Sequence, residues 1–233
     1  MKIRMRGTHS AKAKTWLIDQ RYGRAYYKGY YEPALTKYID QYLSTDSIFI
    51  DAGSHAGYFS LIAASKCKNG HVFSFEPESG NYGFIKKICS LNDFNNWTVE
   101  NYALGEVDSF LNFQASPSSS MGMISEQGTA KVQAVSLDSY FSSITLAKID
   151  LIKIDVEGYG GPVLKGARET IQRFKPHILF EVHLGSDEFD IAWQQLHDTY
   201  DFIDFTTDIQ ILAKPKKHMD FLLLKPKTGE SKV

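Results

Sequence analysis

Only two cysteines, Cys67 and Cys89, occur among the 233 residues. Two thiols cannot build a disulfide framework, nor a metal centre by themselves. Both fall on predicted helix faces and read as small apolar fillers. No apolar run approaches the roughly 20 residues needed to cross a bilayer. The basic opening MKIRMRGTHSAKAK has no apolar stretch after it. A secretory leader is therefore not expected, and a reducing, cytoplasmic setting is. Charge of one sign is also scarce: 26 Lys and Arg against 27 Asp and Glu leave a formal −1. That removes any global electrostatic case for nucleic acid or an anionic membrane. The lysines of KPKKH and KPK read as a solvated edge, because their runs are short and broken by prolines.

What is present is a core. Apolar residues make up 43% and aromatics 13%, which suits one packed domain of this length. The chain then alternates. Residues 33–43 carry Leu35, Tyr38, Ile39, Tyr42 and Leu43 at helical spacing behind Pro33. SIFID reads as a buried strand ending at Asp51, 57–67 as a helix, HVFSFEP as a strand stopped by Pro77, and 80–91 as a helix. WTVENYAL is a third strand and its exit. Such alternation builds a parallel sheet covered by helices.

The pattern then stalls. A β-hairpin insertion is expected near 108–138, with strands SFLNFQA and KVQAVSLD around the Ser/Gly-rich SPSSSMGMISEQG. It resumes with IDLIKID, a helix from near Pro162, the strand HILFEVH and a helix over 187–199. YDFIDFTT and MDFLLLKP close the sheet as a late antiparallel pair. We expect one domain over 33–233. The Tyr-rich segment 1–32 precedes it as a lid or packing arm.

A strand that feeds a helix through glycines gathers backbone N–H groups at a helix start, which favours a hydrogen-bond acceptor. The row is Asp51-Ala52-Gly53-Ser54-His55-Ala56-Gly57. The dinucleotide fingerprint would need a glycine where Asp51 stands, and an acid there repels a pyrophosphate. Glu76 follows 19 positions beyond Gly57, where an acid can hold a ribose diol. Two acids framing a nucleoside without phosphate, but with a positive group, point to S-adenosylmethionine. His55 reads as a polar loop residue facing water.

The ordered series GYYEPAL, FIDAGSHAGYFSL, VFSFEPE, ENYALG, VQAVSLDSY, IDLIKIDVEGY, VLKGA and PHILFEVH resembles the FkbM family of S-adenosylmethionine-dependent methyltransferases, over roughly residues 30–185. The resemblance implies the class I fold: a Rossmann-like α/β architecture with a seven-strand, mostly parallel sheet and helices on both faces. It implies O-methylation of a sugar, glycan or natural product. By position it assigns Asp51, Gly53, Ser54 and Gly57 to the donor-binding turn and Glu76 to the ribose. Tyr102 and Ala103 fall beside the adenine, and Asp155 beside the methyl group. The family commonly places an acid two residues after DVEG; here Gly160 stands in that place.

Methyl transfer to a hydroxyl requires alignment, exclusion of water and a base. Asp155, His183 and Glu157 are the catalytic candidates. Acids at a helix start also act as caps, and the alternative for His183 is a satisfied structural histidine. Lys153 sits inside an apolar strand and needs a partner such as Asp155; it is alternatively a donor to substrate. Tyr30, Glu32 and Glu181 complete the substrate-binding candidates, and the serine-rich insertion is a further wall. A divalent metal is undecided: Asp155, Glu157, Glu181 and His183 would form an oxygen-rich site if the fold gathers them. The acceptor is expected to be a small molecule or glycan, with no membrane span, and a homo-oligomer is compatible. Competing readings are an RNA methyltransferase and a donor-binding protein without turnover.

Overall fold

The computed structural model describes residues 1–18, 23–115, 122–183, 185–213 and 221–227. The chain opens with a hairpin, β1 (Lys2–Arg4) and β2 (Thr15–Leu17), followed by α1 (Arg24–Lys28) and α2 (Pro33–Tyr42). The alternating series is β3 (Ile48–Ala52), α3 (Tyr58–Lys66), β4 (His71–Phe75), α4 (Ser79–Leu91) and β5 (Trp97–Glu100). Next come β6 (Ala103–Leu104), β7 (Ser109–Gln114), β8 (Met123–Ile124), β9 (Ala130–Val135) and α5 (Leu137–Phe141). Then follow β10 (Leu151–Ile154), α6 (Gly160–Lys165), α7 (Arg168–Phe174), β11 (His177–Glu181) and α8 (Glu188–Leu196). The last strands are β12 (Tyr200–Asp204), β13 (Ile209–Gln210) and β14 (Phe221–Pro226).

The main sheet has the order β13-β12-β14-β11-β10-β3-β4-β5. Strands β11, β10, β3, β4 and β5 run parallel, and β14 lies antiparallel between β11 and β12. Seven strands were expected; the eighth is the two-residue edge strand β13. Period two sorts the core. Phe49, Leu151, Leu179 and Leu223 face one layer with α2, α3 and α4. Ile50, Ile152, Ile178, Leu222 and Leu224 face the other, with Val163, Ile171 and Ala192.

Within 97–104 the strand ends at Glu100 as β5, and its exit carries β6, which leaves the main sheet and pairs with β9. The insertion is thereby a four-stranded sheet, β6-β9-β7-β8, and not a bare hairpin. Residues 116–121 of its serine-rich tip lie outside the described residues, as do Tyr22 and Lys214, Lys216 and Lys217. The helix expected from Pro162 begins at Gly160 and is interrupted between α6 and α7. A Cβ on Gly166, between the two helices, would collide with the Gly105 carbonyl, so only glycine fits where the chains cross.

The first 32 residues bury Met5, Ala11 and Trp16 in the main core. Trp16 stacks on Tyr26 at 5.9 Å and meets Tyr58 and Phe84 edge-on. Such pairs add to the burial of the rings themselves. This packing brings Tyr26 and Tyr31 over the carboxyl ends of β3 and β10.

Candidate functional site

A cleft opens at the carboxyl ends of β3, β4, β10 and β11, where open α/β sheets hold ligands. Gly53, His55, Phe75, Glu76, Asn81, Tyr102, Ala103 and Leu104 form one side. Tyr26, Tyr31 and Glu32 face them, with Phe113 and Ile124 of the small sheet. Asp155, Glu157, Tyr159 and Glu181 line the far end.

The glycine turn is built by crossing chains. Gly53 has φ +76°, and a Cβ on it would strike the Asp155 carbonyl. Glycine therefore lets the loops after β3 and β10 touch. The Gly53 and Ser54 N–H groups both donate to the Phe75 carbonyl at 3.1 Å. His55 N–H donates to Glu76 Oε2 at 2.8 Å. Glu76 Oε1 accepts from Glu78 N–H at 2.9 Å and from the Asn81 amide at 3.4 Å. Burial pushes the Glu76 carboxyl up to about 7, against these donors, which favour the carboxylate.

Behind the turn lies a buried polar ladder. Asp51 and Lys153 sit directly opposite each other on β3 and β10. Asp51 is fully buried; Ser60 Oγ donates to it at 2.5 Å and Lys153 Nζ at 3.3 Å. Ser60 and Ser74 hydroxyls meet at 2.6 Å, and Trp97 Nε1 donates to Ser74 Oγ at 2.6 Å. Lys153 also reaches the Gly53 carbonyl at 3.3 Å and Asp155 Oδ2 at 3.0 Å. Burial alone would lower the lysine; Asp155 and Asp51 outweigh it and hold the ammonium above its ordinary range.

Asp155 and Glu181 form a carboxyl pair at the cleft. Burial pushes both up, but Lys153 and a hydrogen bond with Glu181 keep Asp155 below the ordinary carboxyl value. Glu181 is raised, to about 10, by burial and by Asp155. Two close carboxyls share one proton, here on Glu181. Burial and Asp155 also raise Glu157, whose φ of +51° turns its carboxylate back to 3.6 Å from His183 Nε2.

His183 is held from behind. Its N–H donates to Glu188 Oε2 at 2.9 Å, and its Nδ1 lies 3.2 Å from the same oxygen. Glu188 is 1% exposed and also accepts from Gly160 N–H and Ser186 Oγ, each at 2.9 Å. A Cβ on Gly160 would come within 2.6 Å of the Phe180 ring and 2.9 Å of Glu188 Oε1. The acid that the resemblance places at 160 is thus absent because a carboxylate from α8 occupies that space.

Several expected positions move. Gly53, Glu76, Tyr102, Ala103, Asp155, Glu157, Glu181 and Glu32 line the cleft, whereas Asp51, Ser54, Gly57, Lys153 and His183 do not. Asp51 faces the α3 layer because period two points it away from the edge, and its link toward the cleft runs through Lys153. Gly57 packs on Ile85 and Trp97. His183 stands one layer behind Glu157 and Glu181. Tyr30 is 55% exposed and off the cleft, because the left-handed Gly29 and Glu32 turn Tyr31 inward instead. His55 is on the cleft wall, not in open water, with Tyr26 Oη at 3.3 Å from Nδ1. Among the described residues no group of three His, Cys, Asp or Glu is arranged to hold a metal ion. Sequence reasoning missed Glu188. Its one signal was an acid at a helix start, which is commonplace, and its partner Gly160 lies 28 positions away.

Comparison with known proteins follows the same lines. Residues 51–211 match the family described as the Methyltransferase FkbM domain. Over 151 residues the chain is 28% identical to the Hexuronic acid methyltransferase AglP of Haloferax volcanii, covering 63% of this chain and 60% of that protein. The chain thus spans less than two thirds of that relative's length. Methyltransferase FkbM from Methylobacillus flagellatus KT superposes with a TM-score of 0.53 at 19% identity, over 78% of this chain and 44% of that one. A Streptococcus mutans protein solved in complex with SAH gives 0.52 at 12% identity, over 82% of this chain and 94% of that one. These likenesses are of fold, and the fold is the class I methyltransferase architecture.

Proposed function

Because the chain belongs to the FkbM methyltransferase domain family, we propose that it uses S-adenosylmethionine to methylate a hydroxyl oxygen of a sugar or sugar-like acceptor. The observation that carries this reading is the placement of Glu76 and Asp155 on one cleft, either side of Gly53.

The residues fit the donor. A carboxylate offers about four acceptor sites, so Glu76 keeps capacity for a ribose diol beyond its local donors. Tyr102, Ala103 and Leu104 supply a flat apolar border for adenine. No Lys or Arg lines the cleft among the described residues, and several carboxyls do. That lining attracts a sulfonium and an ammonium and repels a pyrophosphate. When bound, S-adenosylmethionine supplies a methyl carbon to which the acceptor oxygen bonds as the carbon–sulfur bond breaks.

The chain's own residues do the rest. Asp155, kept ionised by Lys153, accepts the hydroxyl proton. Lys153 fixes the direction of that carboxylate. Tyr26, Tyr31 and Tyr159 offer ring faces for a sugar and exclude water, with the first two acting as a lid. Glu32 and Glu157 accept from neighbouring hydroxyls. The sugar class draws support from the relative that acts on a hexuronic acid.

The test is transfer of labelled methyl from S-adenosylmethionine to a panel of neutral sugars, uronic acids, phenols and RNA, with and without chelator. Label on a sugar oxygen is expected. Label on RNA or on nitrogen alone would overturn the acceptor class, and absence of donor binding would overturn the whole reading.

A further inference from the structure

Resting on the methyl-transfer reading above, we propose that Glu188 is a positioning residue that fixes His183 as the exit for the acceptor's proton, which travels from Asp155 through Glu181 to Nε2 of His183.

The geometry begins at Glu188. A carboxylate can only accept, so the Nδ1 edge facing it at 3.2 Å carries the hydrogen. His183 is thereby set with Nε2 as its bare nitrogen. That nitrogen lies 3.5 Å from Glu181 Oε2 and 3.6 Å from Glu157 Oε2. Glu181 Oε2 is buried and makes no hydrogen bond among the described residues. Glu181 stands beside Asp155, at the ends of the paired strands β11 and β10, and both line the cleft. Facing the imidazole are Glu181 of β11, Glu157 of the loop after β10 and Glu188 of α8. Gly160 belongs to the device, since any side chain there would displace Glu188 Oε1.

The protons balance. The acceptor's O–H proton goes to Asp155. Glu181 passes its own proton to Nε2 and takes the one on Asp155. His183 side-chain exposure is 32%, so the imidazolium can release its proton to water. The net change is one proton from the hydroxyl to solvent, and Glu181 is again protonated.

The experiment has two arms. Nitrogen NMR of the parent reads the His183 tautomer directly. Nδ1–H is expected, and a predominant Nε2–H form would overturn the proposal. Turnover is then compared for the parent, His183→Ala, Glu188→Gln and the milder Ser186→Ala, with donor affinity measured in each. We expect kcat to fall about 100-fold in His183→Ala and at least about tenfold in Glu188→Gln, with donor affinity held. Added imidazole should restore the His183→Ala rate several-fold, which a purely structural histidine would not permit. Near-parental kcat in His183→Ala, or loss without imidazole rescue, would remove the proposal while leaving methyl transfer standing. A parent that binds donor yet methylates nothing removes the reading beneath it as well.

Discussion

The two acid sites of the cleft are made in opposite ways. Glu76 is held by local backbone: the N–H groups of His55 and Glu78, both in loops that adjoin its own strand end or the turn beside it. Asp155 is held by side chains drawn from separate elements, with Lys153 on β10, Glu181 on β11 and, behind them, His183 and Glu188. The first arrangement suits a ligand common to many proteins, because backbone donors persist whatever side chains surround them. The second suits chemistry particular to one acceptor, because each member can be changed by one substitution. Asp51 and Asp155 repeat the contrast on a smaller scale. Both touch Lys153, yet burial raises the first and the lysine lowers the second. Only the second lines the cleft.

If that division is right, the two sites should fail separately. Asp155→Asn should lower kcat by about 10²- to 10⁴-fold while donor affinity stays within about threefold, read by steady-state kinetics and calorimetry. Lys153→Met should act on stability first. It strands Asp51 in the core, and breaking such a buried pair costs about 3–5 kcal/mol, measurable by urea unfolding. The double change Asp51→Asn with Lys153→Met should recover part of that loss, because the orphaned charge is gone.

Glu76→Gln should weaken the donor about 10- to 30-fold and leave kcat at saturation nearly unchanged. The parent's donor affinity should also rise with pH through about 7, as Glu76 ionises, and the Gln variant should lose this dependence. The sign for stability is the reverse. The folded carboxyl keeps its proton up to about 7, against 4.5 unfolded, so this group's contribution to stability declines as pH rises across that window. The smallest effect belongs to Tyr30→Ala. That ring lies off the cleft, so both KM and kcat should stay within about twofold.

The local site was legible in the sequence and the composite one only in part. Strand ends at Asp51, Glu76, Asp155 and Glu181 follow from period two and from the turns that stop each strand. Those features are short-range, so these acids could be set on one sheet edge before any fold was seen. Facing directions were less secure: one residue decides whether an acid meets ligand or core, and Asp51 went inward. Glu188 could not be found at all. Its contact with Gly160 depends on how α8 packs against α6, and no periodicity spans that distance. The resemblance did mark Gly160 as unusual, and the packing now accounts for it: a glycine makes room for a carboxylate supplied from elsewhere.

The most direct measurement is calorimetric titration of S-adenosylmethionine into the parent protein, Glu76→Gln and Asp155→Asn under one buffer. The parent and Asp155→Asn should bind alike, with Glu76→Gln weaker by at least about tenfold. Equal binding by Glu76→Gln and the parent, or loss of binding in Asp155→Asn alone, would contradict the assignment of donor and base to opposite sides of Gly53.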